Sequence, residues 1–193
     1  MGRPPTPPPT TLTRMRVTTE RLHLRPLRDG DETDLLDYRG RDDVNRYLES
    51  DPLTADAAPA FVAERTALTH LTRDGDRILL GVELDGRLIG DVRLKSSGTL
   101  ADRQGEIGWV FHPGYAGHGY ATEAARALVR LGFDELKLHR IWAQLDPRNT
   151  ASARVCERLG MRREGVLREE SWFKGEWADL AVYALLASEW AEM

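Results

Sequence analysis

The strongest constraint on the fold comes from residues 77–113, where apolar residues follow the period of a β-strand rather than that of a helix. The stretch RILLGVELDGRLIGDVRLKSSG predicts two strands, and the Asp85-Gly86 pair between them is a preferred sequence for a two-residue hairpin turn. The next stretch, GEIGWVFHP (Gly105–Pro113), predicts a further strand. Consecutive strands in the middle of the chain require a central sheet, which the flanking segments must cover.

The flanking segments supply helices and the remaining strands. RLHLRPLR (Arg21–Arg28) alternates apolar and basic residues and predicts a first strand. Helices are predicted in DGDETDLLDYRG, in DDVNRYLES, from an N-cap at Thr54 to about Leu71, from about Ala121 to Phe133, and in NTASARVCERLG, which begins at Asn149 or Thr150 and stops at Gly160. HRIWAQLDP predicts another strand, and two long strands surround Lys174-Gly175. This order predicts a mixed α/β domain.

Composition narrows the class of protein. The chain has 193 residues, 41% of them hydrophobic, which suits one domain with a substantial core. The net charge of −4 argues against a surface that binds nucleic acid, and no apolar run is long enough to span a membrane. The single cysteine, Cys156, allows no internal disulfide and fits a cytoplasmic location. Residues 1–14, rich in Pro and Thr, are predicted to form a disordered tail before a domain at residues 15–193.

A glycine-rich turn in PGYAGHGYATEA leads directly into a predicted helix. Gly117 and Gly119 let a ligand approach the backbone, and the free N–H groups of a helix start favour an anion such as phosphate. A P-loop would need a lysine here, and none is present. A dinucleotide-binding turn would need a third glycine where Thr122 stands, and it would follow the first strand rather than the fourth. Both of these phosphate-loop signatures therefore fit poorly.

The segment Ala116-Gly117-His118-Gly119-Tyr120-Ala121 resembles motif A of the GNAT superfamily of acetyl-coenzyme A-dependent N-acetyltransferases, although Ala116 occupies a position where the family often has Arg or Gln. The resemblance implies that the loop binds the pyrophosphate of coenzyme A through its backbone amides. The implied cofactor-binding residues are Gly117, His118, Gly119, Tyr120, Ala121 and Thr122.

A second block, His139–Gly165, resembles the later motif of the RimJ/RimL branch of this superfamily, with Asn149, Ser152 and Leu159-Gly160-Met161 at the matching positions. The resemblance extends over about residues 17–190. It implies the GNAT fold, a twisted and mostly antiparallel sheet of about seven strands flanked by helices. It also implies acetyl transfer from acetyl-coenzyme A to an amine acceptor, either a protein N-terminus or a small molecule, without a metal.

The resemblance also suggests roles at the reacting centre. Glu106 is the candidate base that deprotonates the amine, and Ser152 is the candidate acid or a ligand of the pantetheine arm. Backbone groups near Val110 would bind that arm and the oxyanion, Gly108 would be a bulge or a point of close approach, and Asn149 would contact coenzyme A while capping its helix. Simpler interpretations remain open: Glu106 could pair with an arginine, and Ser152 could lie on the core face of its helix.

Other chemistry-bearing residues give weaker signals. Cys156 stands where many GNAT enzymes have a tyrosine, and it is either a proton donor or a small buried hydrophobe. His118 is expected to face solvent, and the histidines lack the spacing of metal ligands. Trp172, Phe173 and Trp177 could line an acceptor pocket, belong to the sheet core or form the surface of a homodimer.

Three broader alternatives also remain at this stage. Seven acidic residues in the first helical region would favour a cationic acceptor if they border its cleft, and they are Asp29, Asp31, Glu32, Asp34, Asp37, Asp42 and Asp43. Ala116 and the missing tyrosine leave room for a non-catalytic acyl-coenzyme A sensor on the same fold. A nicotinamide-dependent dehydrogenase is disfavoured by the position of the glycine loop.

Overall fold

A computed structural model of the chain describes residues 16–193, so the predicted tail at residues 1–14 lies outside the described residues. The strands are β1 (Val17–Thr18), β2 (His23–Arg25), β3 (Arg77–Leu84), β4 (Arg87–Ser97), β5 (Gln104–Phe111), β6 (Arg140–Leu145), β7 (Arg162–Phe173) and β8 (Glu176–Leu186). The helices are α1 (Glu32–Arg39), α2 (Asp42–Asn45), α3 (Ala58–Thr66), α4 (Tyr120–Arg130), α5 (Thr150–Arg158) and α6 (Ala187–Trp190). The predicted mixed α/β fold is therefore confirmed.

The strands form one eight-stranded sheet in the order β1-β2-β3-β4-β5-β6-β8-β7. Every neighbouring pair is antiparallel except β5 and β6. The expected count of about seven strands is one too low because the sequence does not predict β1, which lies upstream of the predicted first strand and pairs back onto β2. The predicted strand at Arg21–Arg28 contains only β2, which stops before Pro26.

Both predicted hairpin turns are confirmed. Asp85 and Gly86 have φ angles of +50° and +84°, and Lys174 and Gly175 have φ angles of +52° and +81°. Positive φ at both central residues is the geometry that matches the twist of antiparallel strands. The two turns therefore set the register of the β3–β4 and β7–β8 pairs.

Helices cover both faces of the sheet. On one face, α4 and α5 contribute apolar side chains such as Leu128 and Val155 to the larger core cluster. On the other face, α1 and α3 bury Leu35 and Val62 in a smaller cluster. Helix α4 begins one residue before the predicted Ala121, and its last turn widens into a π-helix at Leu131–Glu135.

The helix predicted from Thr54 to about Leu71 is shorter than expected at both ends. It occupies Ala58–Thr66, because a turn that follows Thr54 delays the start of the helix. Thr54 is therefore not its N-cap, and no side chain caps the helix start. After Thr66 the chain becomes extended, and Thr69 forms a bridge with Ile78 of β3. Pairing with the sheet therefore replaces the last predicted helical turn.

The sheet opens between β5 and β6. The two strands pair in parallel only from Gln104–Arg140 to Glu106–Trp142. Beyond that point β5 stays paired with β4 as far as Phe111, while β6 stays paired with β8. The strands therefore diverge after Glu106 and leave backbone groups of β5 facing an opening. No helix in the described chain is both long and apolar enough to cross a membrane.

Candidate active site

The glycine-rich loop connects β5 to α4 and lies at one end of the opening. Gly117 has φ +84°, and Gly119, which is the N-cap of α4, has φ +80°. Residues with a Cβ seldom adopt this conformation, so the loop shape requires glycine at both positions. The predicted junction of turn and helix is confirmed.

Six consecutive backbone amides in this loop lack acceptors. The N–H of Ala116 donates to Pro113, and the N–H of Glu123 donates to Gly119. Between them, the N–H groups of residues 117–122 donate to no acceptor within residues 16–193. The Oγ1 atom of Thr122 is buried and also lacks a hydrogen-bond partner there. Such a row of donors at the positive end of a helix dipole forms a binding site for an anion.

An open pocket of about 490 Å³ lies beside the loop. Its lining residues are Glu20, Gly117, His118, Gly119, Thr122, Glu123, Arg126 and Arg158. Arg126 is one helical turn beyond Thr122, and it donates to the carbonyl of Arg158 at the end of α5. Two arginines therefore line the pocket together with the loop, and their positive charge favours a second anionic group.

Glu106 lies at the point where β5 and β6 separate. It is opposite Trp142 in the last parallel pair, and it is only 8% exposed. Its Oε1 atom accepts a hydrogen bond of 2.8 Å from Arg93 of β4. Both interpretations of Glu106 therefore remain compatible with its position, since the carboxylate is paired with an arginine and the residue lies where the two strands diverge.

Gly108 is a point of close approach and not a bulge. The β4–β5 register is regular from Gly90–Phe111 to Ser97–Gln104, so the bulge suggested by the sequence is not present in this pairing. A Cβ at Gly108 would lie 2.7 Å from Nε of Arg93. The missing side chain of Gly108 thus provides the space that lets Arg93 reach Glu106 along the strand surface.

Val110 lies on the part of β5 that has separated from β6. It remains paired with Asp91 of β4, and its side chain packs against the smaller core cluster. Ile107, by contrast, belongs to the larger cluster on the opposite face, as the predicted alternation requires. The backbone near Val110 therefore borders the opening on the side of the glycine loop.

Asn149 caps α5, and it is one of the two N-cap residues that the sequence predicts. Its side-chain oxygen accepts a hydrogen bond of 3.1 Å from the N–H of Ser152. Ser152 is half-buried in the first turn of α5, whereas Val155 and Cys156 of the next turn are buried in the core. The stop at Gly160 is also confirmed, with φ +82°.

Cys156 has the environment of a structural residue. It is fully buried, and burial raises the pKa of its thiol to about 12. A thiol of this kind is protonated at neutral pH and is a poor nucleophile. The interpretation of Cys156 as a small buried hydrophobe is therefore favoured.

The loop histidine has a local structural role. Nδ1 of His118 lies 3.0 Å from the carbonyl of Ala116, and its exposed ring stacks on Tyr120 at 5.6 Å between centroids. Over residues 16–193 there is no group of three or more His, Cys, Asp and Glu side chains arranged to hold a metal.

Four of the seven acidic residues in the first helical region contact an arginine. Asp31 pairs with Arg25, Asp43 pairs with Arg41, and Arg87 contacts both Asp34 and Asp37. Glu32 accepts a hydrogen bond from the backbone of Gly30. Asp29 and Asp42 form no ion pair within residues 16–193. This arrangement weakens the hypothesis that a free acidic surface selects a cationic acceptor.

The hairpin aromatics are not part of the sheet core. Trp172 and Trp177 face each other across the β7–β8 pair and are 59% and 58% exposed. Phe173 is half-buried, and the neighbouring Lys174 donates to the carbonyl of Asn45 at the end of α2. The hairpin tip therefore lies against α2, and the core interpretation is wrong for the two tryptophans.

Sequence reasoning missed several residues of the site. Arg93 was not identified as the partner of Glu106, although the β3–β4 hairpin and the next strand place these residues on one face. Arg126 and Arg158 were also missed, because their approach depends on how α4 packs against α5. The pairing of Glu123 with Arg21 joins residues 102 positions apart in the chain, so no local pattern could reveal it.

Comparisons with known proteins agree with this geometry. Residues 21–162 match the family model described as an acetyltransferase (GNAT) domain. The chain is 34% identical over 176 residues to the uncharacterized N-acetyltransferase YnaD of Bacillus subtilis, covering 91% of this chain and 99% of that protein.

Solved structures agree as well. The chain is similar to a GNAT-family acetyltransferase from Bacillus anthracis, with a TM-score of 0.81, 35% identity and coverage of 91% of this chain and 100% of the other. It is also similar to Mycobacterium smegmatis RimJ in complex with CoA-disulfide, with a TM-score of 0.76 and 26% identity. That similarity covers 87% of this chain and 83% of the RimJ chain. The chain therefore belongs to the GNAT family of N-acetyltransferases.

Proposed function

We propose that the protein transfers an acetyl group from acetyl-coenzyme A to a primary amine, and that the loop amides of residues 117–122 bind the pyrophosphate of the cofactor. The observation that carries this proposal is the row of six amides without acceptors at the start of α4. The residues present fit the cofactor, because the amides and the unpartnered hydroxyl of Thr122 are donors for phosphate oxygens.

The pantetheine arm would enter the opening between β5 and β6. Backbone groups of β5 near Val110 face this opening and would pair with the amide groups of the arm, much as a neighbouring strand would. Asn149 and Ser152 lie at the start of α5, which follows β6, and they would contact the arm from the opposite side. In this arrangement the thioester would lie near Glu106, at the closed end of the opening.

Glu106 is the residue we propose as the base. An alkyl ammonium group has a pKa of about 10.4 and must lose a proton before its nitrogen can attack. Oε1 of Glu106 is occupied by Arg93, while Oε2 accepts no hydrogen bond from residues 16–193. We therefore assign proton removal to Oε2, directly or through one water molecule.

The bond changes follow from this arrangement. The neutral amine nitrogen would attack the thioester carbon and form the C–N bond, and a backbone N–H group near Val110 would donate a hydrogen bond to the oxyanion. The C–S bond would then break as the carbonyl re-forms. Ser152 is the proposed donor of a proton to the coenzyme A thiolate, and its hydroxyl would recover a proton from the substrate nitrogen, which carries one in excess after the attack. The high pKa of Cys156, about 12, and its burial argue against a role for that thiol.

The acceptor is proposed only as a class. A primary amine, either a protein N-terminus or a small molecule, would approach along the face that carries Glu106 and α1–α3. The exposed Trp172 and Trp177 lie on the hairpin whose tip contacts α2, so they are candidates for the outer wall of the acceptor cleft. The ion pairs of the acidic residues give no specific support for a polycation.

Release of free thiol from acetyl-coenzyme A tests this function. Purified full-length protein would be assayed against a panel that includes N-terminal peptides, spermidine and amino acid amides, with mass detection of the acetylated product. We expect turnover with at least one amine, and a Glu106→Gln variant should lower kcat about 100-fold or more without changing the affinity for coenzyme A. Glu164→Gln, which alters a surface ion pair with Arg140, is the matched control.

The outcomes separate the two functions considered for this fold. Coenzyme A binding without turnover on any amine would favour a sensor of acyl-coenzyme A. Turnover that survives in Glu106→Gln would retain the enzyme and remove Glu106 as its base.

A further inference from the structure

The turn that precedes β2 is attached to the glycine-rich loop through Glu123, in the first turn of α4. Glu123 accepts hydrogen bonds from Oγ1 of Thr19 at 2.5 Å, from the N–H of Arg21 at 3.0 Å and from Nε of Arg21 at 2.7 Å. Nη2 of Arg21 lies a further 2.6 Å from the same carboxylate. Two segments distant in sequence are thus joined beside the proposed phosphate site.

Arg21 also contacts the loop backbone. Its Nη1 donates a hydrogen bond of 3.0 Å to the carbonyl of His118, the residue between Gly117 and Gly119. The guanidinium lies 4.6 Å from the centroid of the Tyr120 ring. The rigid fork of donors on Arg21 is therefore shared between a carboxylate and a backbone carbonyl, which the point charge of a lysine could not reproduce.

The contact with His118 fixes the direction of the next amide. A trans peptide is planar, so the carbonyl of His118 and the N–H of Gly119 point in opposite directions. Glycine tolerates many backbone conformations, so this peptide has little intrinsic preference for one orientation. When Arg21 holds the carbonyl, the N–H of Gly119 must point away from Arg21. Gly119 lines the pocket beside the loop and Arg21 does not.

We propose that Arg21 is a positioning residue for the cofactor: it holds the His118–Gly119 peptide in the orientation that presents the Gly119 N–H to the pyrophosphate. This inference rests on the proposed function. It also explains how the loop retains order with Ala116 at the position where a longer polar side chain is common in the family.

Arg21 has a second effect on the same site, through charge. Burial would raise the pKa of Glu123, but the hydrogen bonds from Thr19 and Arg21 lower it, so the carboxylate is ionised at neutral pH. An unpaired carboxylate in the first turn of α4 would repel a pyrophosphate. The guanidinium of Arg21 offsets that repulsion while it orders the loop.

The test compares the Kd for coenzyme A with thermal stability in full-length variants. Arg21→Gln should raise the Kd about tenfold, the effect of losing one charge-assisted hydrogen bond that orders the site. Arg21→Lys should raise the Kd about threefold, because lysine keeps the pairing with Glu123 but loses the fork. Arg140→Gln removes an arginine from a bidentate pair with Glu164 outside the site and should leave the Kd unchanged.

A purely structural role for Arg21 predicts a different pattern. In that case Arg21→Gln would lower the melting temperature while its Kd for coenzyme A, measured on folded protein, equalled that of the wild type, and the inference would be wrong. If Arg21→Gln does not fold, an unchanged Kd in Arg21→Lys overturns the inference in the same way. Failure of the wild-type protein to bind coenzyme A would instead overturn the proposed function, and this inference with it.

Discussion

Arg93 donates a hydrogen bond of 2.8 Å to Oε1 of Glu106 at the position where β5 and β6 separate. The two residues lie on neighbouring strands, and the side chain of Arg93 passes over Gly108 to reach the carboxylate. One carboxylate oxygen is thereby held in place, and the other accepts no hydrogen bond from residues 16–193. Position and orientation of Glu106 therefore depend on a residue that the acetyltransferase motifs do not include.

A methyl group at Gly108 should disturb this arrangement. The Cβ of Gly108→Ala would meet Arg93 at 2.7 Å, so the side chain must move away from Glu106. We expect turnover to fall about tenfold, since the base loses its orientation, while stability changes by less than about 1 kcal/mol. Thiol release and urea unfolding measure the two effects. Gly165→Ala, with open space around its Cβ on β7, is the control and should match the wild type. Full activity in Gly108→Ala would show that the Arg93 contact is dispensable.

The buried thiol should be dispensable for catalysis. We expect Cys156→Ala to keep kcat within about twofold of the wild type, because a buried thiol with a pKa of about 12 has no path to the leaving thiolate. Native protein should also resist alkylation by iodoacetamide at pH 8 and react once unfolded. A large loss of kcat in a variant of normal stability would instead assign proton transfer to Cys156.

The turn before α5 should make stability dependent on pH. Hydrogen bonds from Arg148 lower the pKa of Asp146 and outweigh the opposing effect of burial. A lowered folded-state pKa adds stability above the unfolded value of about 3.9, and this stability is lost as pH falls through the folded pKa. Asp146→Asn should therefore cost about 1 kcal/mol at pH 7, with the difference shrinking below about pH 4. Urea unfolding at several pH values measures it, and a constant difference across that range would contradict the assignment.

The buried ion pair between α1 and β4 should matter more to stability than the surface pairs. Asp91 is 2% exposed and accepts hydrogen bonds from Tyr38 and, at two positions, from Arg39. Asp91→Asn leaves the largely buried Arg39 without its counter-charge and should cost about 3–5 kcal/mol. Asp37→Asn removes an exposed carboxylate that pairs with Arg87 and should cost less than about 1 kcal/mol. If chemical unfolding shows that both variants lose the same free energy of unfolding, burial of an ion pair does not determine its contribution to stability.

Much of the fold follows from local sequence signals. Asp85-Gly86 and Lys174-Gly175 specify their turns through positive φ, and Asn149 and Gly160 specify the two ends of α5. These features depend on a few adjacent residues, so the sequence alone is sufficient to predict them. Helix boundaries that depend on distant contacts were less accurate, as the extended bridge of Thr69 with Ile78 illustrates.

The candidate active site likewise combines features set by adjacent residues with features that depend on distant contacts. The amides near Gly117 and Gly119 were predicted because their geometry is a property of one short segment. The partners of Glu106 and Glu123 were not predicted, because Arg93 and Arg21 reach them across the tertiary fold. Side-chain pairing between separated segments depends on packing and register, and residue spacing along the chain does not encode it directly.

The most direct test of the proposed function is a calorimetric titration of the full-length protein with acetyl-coenzyme A, coenzyme A and NADH, beside Gly119→Glu and Gly75→Glu. Both variants place a glutamate at a glycine of positive φ, but Gly75 is away from the loop and has open space around it. We predict that the wild type and Gly75→Glu bind both coenzyme A species and not NADH, and that Gly119→Glu binds neither. Coenzyme A binding that persists in Gly119→Glu would contradict the assignment of the loop amides as the pyrophosphate site.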